Sequence, residues 1–358
     1  MSHKCSHRGF TWIELLVIVL VLAVLLGLLI PAIMAARENS RKQTCMNNLK
    51  QIGLGLHNYC DARHRFPGSA EMVGKGPNKR PGGWSFLFYP PVSINAADLP
   101  AGFDISPTLI KNTIGTSSAV DPLTNPDPGI RNNRNKPLFF DCVCPSNPNK
   151  LHEDPVNKRV AFTNYKAMGA TSAQSLILSE DPKATPPYGT ASQHPDGALY
   201  PTNSGVPISA ISDGLANTIM VAETIDDTKS CWLAGADATL VGMPVAGSYQ
   251  NFTAKSGVTF WAPLDYNGSF YGSATPALQA MRTYLAFDFR PGRADAGTYP
   301  ASVGRTPAYG PSSGHPGIVN HLFCDGSVKS IRKDVDYAVY FFLITRANGE
   351  PPVPASAY

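Results

Sequence analysis

Hydrophobic and polar positions divide this chain into stretches of different period. Residues 1–9 are polar, with Lys4 and Arg8 as the fixed charges. From Leu15 to Ala36 there is no charged residue over 22 positions. At about 1.5 Å per residue, a helix of that length crosses a hydrocarbon core about 30 Å thick. A cleaved secretory signal has a shorter apolar core followed by a small-residue cut site, whereas here the polar break precedes the run. From Arg37 the pattern becomes amphipathic. Cys45, Leu49, Ile52, Leu56 and Tyr59 follow steps of four, three, four and three, which is one helical stripe. Arg41, Lys42, Asn47, Lys50 and Gln51 fall mostly outside it. The spacing predicts one helix from about Thr11 to Tyr59, with its first half in lipid and its second half docked on a domain. Pro31 inside it removes one hydrogen bond, frees the carbonyl of Gly27 and bends the helix. Gly53 and Gly55 lower helix propensity but permit close packing against a sheet.

Beyond Arg65-Phe66-Pro67-Gly68 the helical period stops. Trp84–Tyr89 reads as a buried strand or short helix ended by Pro90 and Pro91, and Leu138–Pro145 as a short apolar run. A short helix is expected near 173–178 within a loop region over 171–207. Thr218–Glu223 and Gly257–Trp261 have strand character. Ile318–Phe323 and Asp325–Ile331 read as a β-hairpin turning on Asp325-Gly326. Tyr337–Ala347 reads as a late helix, and the Pro-rich tail Glu350–Tyr358 as disordered.

Composition narrows the class. A hydrophobic share of 43% supports a core, while 31 Gly and 32 Pro point to a loop-rich domain. A net charge of +4 without a basic cluster interleaved with aromatics argues against a nucleic-acid partner. Cys142-x-Cys144 is too tight for the usual zinc spacing, and no second pair follows. Disulfides are open to the cysteines in an oxidising compartment. Cys45 and Cys60 lie roughly 22 Å apart along a straight helix and cannot bond to each other; their partners stay unassigned. There is no Gly-x-Ser-x-Gly, phosphate loop or His-Glu-x-x-His, so an enzyme is not expected.

Glu14 is costly at the edge of an apolar segment, by about 2.5–3.5 kcal/mol at a helix centre. The first-turn dipole offsets part of this, and so would an amine. Arg8-Gly9-Phe10-Thr11-Trp12-Ile13-Glu14 resembles the processing site of type IV prepilins and type II secretion pseudopilins. The resemblance implies a cut between Gly9 and Phe10 by a prepilin peptidase/methyltransferase, N-methylation of Phe10, and pairing of Glu14 with a neighbouring subunit's amine in assembly. Trp12 stands where the family usually has Leu. Pro31 is residue 22 counted from Phe10, where pilins also often carry a helix-bending proline. Lys4 and Arg8 before the span and Arg37, Arg41 and Lys42 after it nearly balance, so the processing signal sets the expected topology. The leader is cytoplasmic, and everything after the single span is periplasmic or extracellular.

A second resemblance covers most of the chain. Cys45–Tyr59, Arg65-Phe66-Pro67, Cys144-Pro145-Ser146, Asn164-Tyr165, Ile211–Ile219 with Glu223, and Gly314-His315-Pro316-Gly317 through Asp325-Gly326-Ser327-Val328 resemble the planctomycete-type DUF1559 family. That family has a prepilin-like N-terminus and a His-x9-Asp-Gly C-terminal region, and is also filed under a solute-binding label. It implies membership without a reaction. The joint expectation is an α+β fold, with the long helix on an antiparallel-sheet, loop-rich, pilin-like domain. The parts are a leader at 1–9, a transmembrane helix at 10–36, its amphipathic continuation at 37–60, an outer domain at 61–348 and a tail at 349–358. The partners expected are the peptidase, the lipid bilayer and like subunits or other pilin-like proteins; the alternative is a monomeric tethered solute-binding protein. His315 and Asp325, ten apart across the hairpin, could hold a divalent metal. For calcium, Asp213, Asn217 and Glu223 could add oxygens. The plainer expectation is that His315 anchors its loop and Asp325 makes an Asx-type turn before Gly326.

Overall fold

The computed structural model describes residues 11–73, 80–88, 143–147, 163–172, 175–176, 191–225, 235, 238–243, 249–253, 259–263, 310–333, 335, 337–349 and 354. The chain forms two compact units, residues 1–43 and 44–358. The leader (1–9), Phe10, the run 138–142 and the tail except Gly349 and Pro354 lie outside the described residues, as does most of 173–178, of which Ser175 and Leu176 are helical.

Helix α1 is one element of 52 residues, Trp12–Arg63, and it continues through Pro31. In the first unit every residue from Thr11 to Arg37 is exposed, including the whole apolar run. This stretch is long and apolar enough to cross a membrane. In the second unit α1 buries Cys45, Asn48, Leu49, Ile52, Gly53, Gly55, Leu56 and Cys60. The expected stripe therefore holds up to Leu56 but closes on Cys60, while Tyr59 is only half-buried. The last step is four residues, not three, so the buried face follows the i, i+4 row at its end.

That face packs on a five-stranded sheet. Its strands are β4 (Tyr165–Ser172), β6 (Ile219–Glu223), β7 (Thr239–Met243), β10 (Ile318–Phe323) and β11 (Val328–Arg332), in the order β11-β10-β6-β4-β7. Three neighbouring pairs are antiparallel, as expected, but β4 and β7 run parallel. Residues 224–238 separate β7 from β6, and a connection of that length lets a strand return in either direction. Among the described residues there are also three two-stranded ribbons: β1 (Arg65–Phe66) with β5 (Val206–Pro207), β2 (Ala70–Val73) with β3 (Arg80–Ser85), and β8 (Tyr249–Thr253) with β9 (Thr259–Pro263). β3 and the 3-10 turn Phe86–Phe88 together fill the place read as strand or helix. β9 covers Thr259–Trp261 of the expected strand Gly257–Trp261, whose first two residues lie outside the described ones.

Alternation along the strands, interrupted at Met220–Val221 of β6 where the pairing with β10 shifts register, gives the sheet two buried faces. Leu49, Ile52 and Leu56 of α1 meet Tyr165, Ala167, Val221 and Leu322 on one face, with Phe66, Trp84 and Phe86 in the same cluster. Met168, Ile219, Leu240, Val319, Phe323 and Ile331 form the other face with Tyr340, Leu343 and Ile344 of helix α2 (Tyr337–Ile344). α2 stops three residues short of the expected Ala347, because Arg346 turns back to bond the 195–197 backbone. The expected hairpin is β10–β11, with Ile318 opposite Arg332 and Leu322 opposite Val328. Its turn is one residue longer than Asp-Gly. The Gly326 amide donates to Phe323 O and the Phe323 amide to Ser327 O, with Gly326 at φ +82°. This is the three-residue loop with a left-handed bulge residue, which suits glycine. Gly53 fulfils the close-packing expectation: a Cβ there would stand 2.8 Å from Leu322 Cδ1.

Candidate functional site

The sheet face under α1 carries a buried polar cluster. Cys45 lies on the helix, Cys144 in the segment 143–147, Glu223 at the end of β6, and His315 in the loop entering β10. They are 0%, 4%, 1% and 1% exposed, respectively. One sulfur, nitrogen or carboxylate oxygen from each lies within 4.8 Å of those of all the others. Cys45 and Cys144 are joined as a disulfide, with Cα atoms 5.5 Å apart. His315 Nε2 lies 3.4 Å from Cys144 Sγ and 3.8 Å from Glu223 Oε1.

Each member is fixed from outside. Asn164 Oδ1 accepts from the Cys144 amide at 2.8 Å, and its Nδ2 donates to Thr224 O at 2.7 Å. Tyr165 hydroxyl donates to Cys45 O at 3.4 Å. Glu223 takes Asn320 N on one oxygen at 3.1 Å and Asn320 Nδ2 on the other at 3.0 Å. Ser330 Oγ in turn donates to Asn320 Oδ1 at 2.6 Å. The loop of His315 is pinned by Ser312 N to Glu223 O, by Lys333 N to Gly317 O and by Lys333 Nζ to Ser313 O. Burial pushes the Glu223 carboxyl above its ordinary range. Bonds from Asn320, the charge of His315 and a bond from Ser313 offset part of that rise.

Of the metal candidates expected from sequence, the structure brings together only His315 and Glu223. Asp325 sits in the hairpin turn, where its carboxylate accepts from the Ser327 amide at 2.8 Å in an Asx turn. Asp213 accepts from the Asn348 and Gly349 amides at 2.8 and 2.9 Å. Asn217 donates to Asp213 O at 3.4 Å. Asp325 and Asp213 thus clasp the hairpin turn and the segment that follows α2, because a carboxylate beside free backbone amides is satisfied locally. Gly326, the third residue of the family motif, provides the left-handed turn residue. The cysteines were not legible as ligands or as a pair: they lie 99 residues apart, in a helix and in a loop.

Two further groups escaped the sequence reading. At the start of α1, the Thr11 amide and hydroxyl donate to Glu14 Oε2 at 2.8 and 2.9 Å, and the Glu14 amide faces Thr11 Oγ1 at 3.4 Å. This is a capping box, and its Thr-x-x-Glu signature stands in the sequence. Elsewhere, Ser175 Oγ donates to Asp196 Oδ1 at 2.7 Å and lies 2.7 Å from His194 Nδ1, while Thr171 Oγ1 donates to Asp196 Oδ2 at 2.5 Å. In a nucleophile triad the imidazole stands between hydroxyl and carboxylate. Here the hydroxyl stands between the other two, which makes a clasp holding the 194–197 segment to β4. Burial, helped by the Arg346 charge, lowers His194 to about 4.

These features define an α+β domain with a long apolar N-terminal helix and a buried, cross-linked polar cluster beneath that helix's docked end. The sequence model of the protein family of unknown function DUF1559 matches residues 34–338, and the chain belongs to that family. No curated protein and no solved structure matches it significantly.

Proposed function

We propose that this protein is a membrane-anchored, pilin-like subunit with a structural rather than a catalytic role. A prepilin peptidase/methyltransferase cuts it between Gly9 and Phe10 and methylates Phe10. The leader faces the cytoplasm, the apolar run of α1 spans the bilayer, and the domain faces the periplasm or the exterior. The observation that carries this reading is the single helix Trp12–Arg63, charge-free and exposed from Leu15 to Ala36, whose far part is an integral core element of the domain.

Glu14 has a dual task on this reading. In the single chain its carboxylate caps its own helix through Thr11. On cleavage the Phe10 amine of a neighbouring subunit becomes available to it, and an ammonium–carboxylate pair is charged on both sides, whereas in the cap only the carboxylate is charged. N-terminal mass spectrometry of membrane-extracted protein should find a chain starting at methylated Phe10. A chain starting at Met1 or after Ala36 overturns the processing. Glu14→Ala should be processed normally yet lose self-association in sheared or cross-linked material. If the unmutated protein never self-associates, the assembly role fails and a monomeric tethered binding protein takes its place.

A further inference from the structure

We propose that Cys45, Cys144, Glu223 and His315 form a structural zinc site when the two cysteines are reduced, and that the Cys45–Cys144 disulfide is the oxidised, metal-free form of the same site. The inference concerns the domain alone and stands whether or not the chain forms filaments.

The donor set and its spacing support this assignment. Zinc takes four ligands tetrahedrally, at about 2.3 Å to sulfur and 2.0–2.2 Å to nitrogen or oxygen, so neighbouring ligand atoms sit roughly 3.3–3.8 Å apart. His315 Nε2 already stands 3.4 Å from Cys144 Sγ and 3.8 Å from Glu223 Oε1. All four donors lie within 4.8 Å of one another. Opening the sulfur–sulfur contact on reduction requires side-chain rotation, with no demand on a distant element. Two sulfurs and an imidazole select zinc over calcium, which prefers an all-oxygen shell.

The surroundings match a structural rather than a catalytic zinc. All four ligands are buried and come from four separate segments, which closes the site to water and substrate. The carboxylate is oriented by a second layer, since Asn320 donates to both oxygens of Glu223 and Ser330 holds Asn320.

The chemistry balances with a dithiol as reductant. The dithiol's two electrons cleave the Cys45–Cys144 bond, giving two protein thiols and one small-molecule disulfide. Zinc then binds as both thiol protons leave for solvent, and His315 binds as the neutral imidazole. A small-molecule disulfide reverses the sequence: it takes the two electrons, and two protons from solvent, to become a dithiol, the Cys45–Cys144 bond re-forms, and the ion is released.

The test uses the full chain in detergent, reduced without air, with zinc or cobalt(II) as probe. The expected result is one ion per chain after gel filtration. Cobalt should show tetrahedral visible bands and thiolate charge-transfer absorption in the near ultraviolet. Zinc should protect Cys45 and Cys144 from alkylation at least tenfold in the unmutated protein, leaving Cys60 and Cys324, both buried free cysteines, unchanged. Oxidation should release the ion. Cys144→Ser and His315→Ala should each weaken retention at least 100-fold, while a Cys60→Ser/Cys324→Ser double variant retains it. No ion on the reduced chain, unchanged alkylation of Cys45 and Cys144, or equal retention by the oxidised chain overturns the proposal. The alkylation arm needs no variant, so a misfolded substitution cannot decide the outcome.

Discussion

His321 shows how a single residue takes its chemistry from its burial. It is fully buried on the sheet face under α2, with Nδ1 3.0 Å from Val319 O and Nε2 2.9 Å from Tyr340 hydroxyl. Nδ1 carries the proton and donates, and Nε2 accepts from the phenol, so the neutral ring fills both partners. Burial lowers its pKa to about 3, against a small opposing effect of the Val319 bond. The sign follows from linkage. Between about 3 and 6.5 the unfolded chain binds a proton that the folded chain refuses, so stability falls as pH drops through that window. Each pH unit below about 6.5 removes up to roughly 1.4 kcal/mol through this group. The buried carboxyls of Glu223 and Asp196 are raised by burial and act in the opposite direction. The His321 contribution is therefore read as the difference between the unmutated protein and His321→Gln. Urea titrations from pH 7 to 4.5 should show a shallower loss in the variant, and nitrogen NMR should find His321 neutral at pH 5. A protonated ring at pH 5 contradicts the assignment.

Between elements, close approach decides what each glycine tolerates. A Cβ on Gly53 of α1 meets only the end of the Leu322 side chain, at 2.8 Å. A Cβ on Gly197 meets the backbone of Gly169 and Ala170 in β4, at 2.5–2.7 Å. A side-chain tip can turn aside, whereas a paired strand cannot move without breaking its ladder. Gly197→Ala should therefore cost more than Gly53→Ala, with about 1–3 kcal/mol expected for the milder overpacking. Chemical denaturation of the two variants checks the order, and the reverse order would show that the 194–197 segment is loosely held. The capping box belongs to this scale as well. Thr11 and Glu14 satisfy amide and carboxylate together where the helix enters its apolar run, which relieves part of the cost of a charge placed there.

On the scale of the whole domain, the Cys45–Cys144 disulfide closes a loop of 99 residues and ties the docked part of α1 to the segment beside the sheet. Loop-closure entropy gives such a cross-link about 2–5 kcal/mol. With a chelator present, reduction or a Cys45→Ala/Cys144→Ala double variant should lower the unfolding free energy by that amount, measured in urea. Zinc should restore part of the loss in the reduced protein and none in the double variant. A reduced, chelated protein as stable as the oxidised one would mean that the sheet and α1 hold without the cross-link.

Much of this architecture was legible from local pattern alone. The unbroken apolar run, the stripe Cys45-Leu49-Ile52-Leu56 and the alternation around Asp325-Gly326 each depend on neighbours a few residues away, so period and turn chemistry suffice to read them. The long helix, the β10–β11 hairpin, the strand ending at Glu223 and the late helix follow from these. What only the tertiary structure decided are the contacts between distant segments. The helix stripe ends on Cys60 rather than Tyr59 because the sheet beneath it sets the last contact. β7 joins the sheet in parallel because its position depends on a connection, not on its own residues. The partner of Cys45 is 99 residues away, and no local period encodes it. His315 turned from Asp325 toward Glu223 and two sulfurs for the same reason: a carboxylate in a turn finds backbone amides first, while a buried imidazole must take its neighbours from whatever strands the fold packs around it.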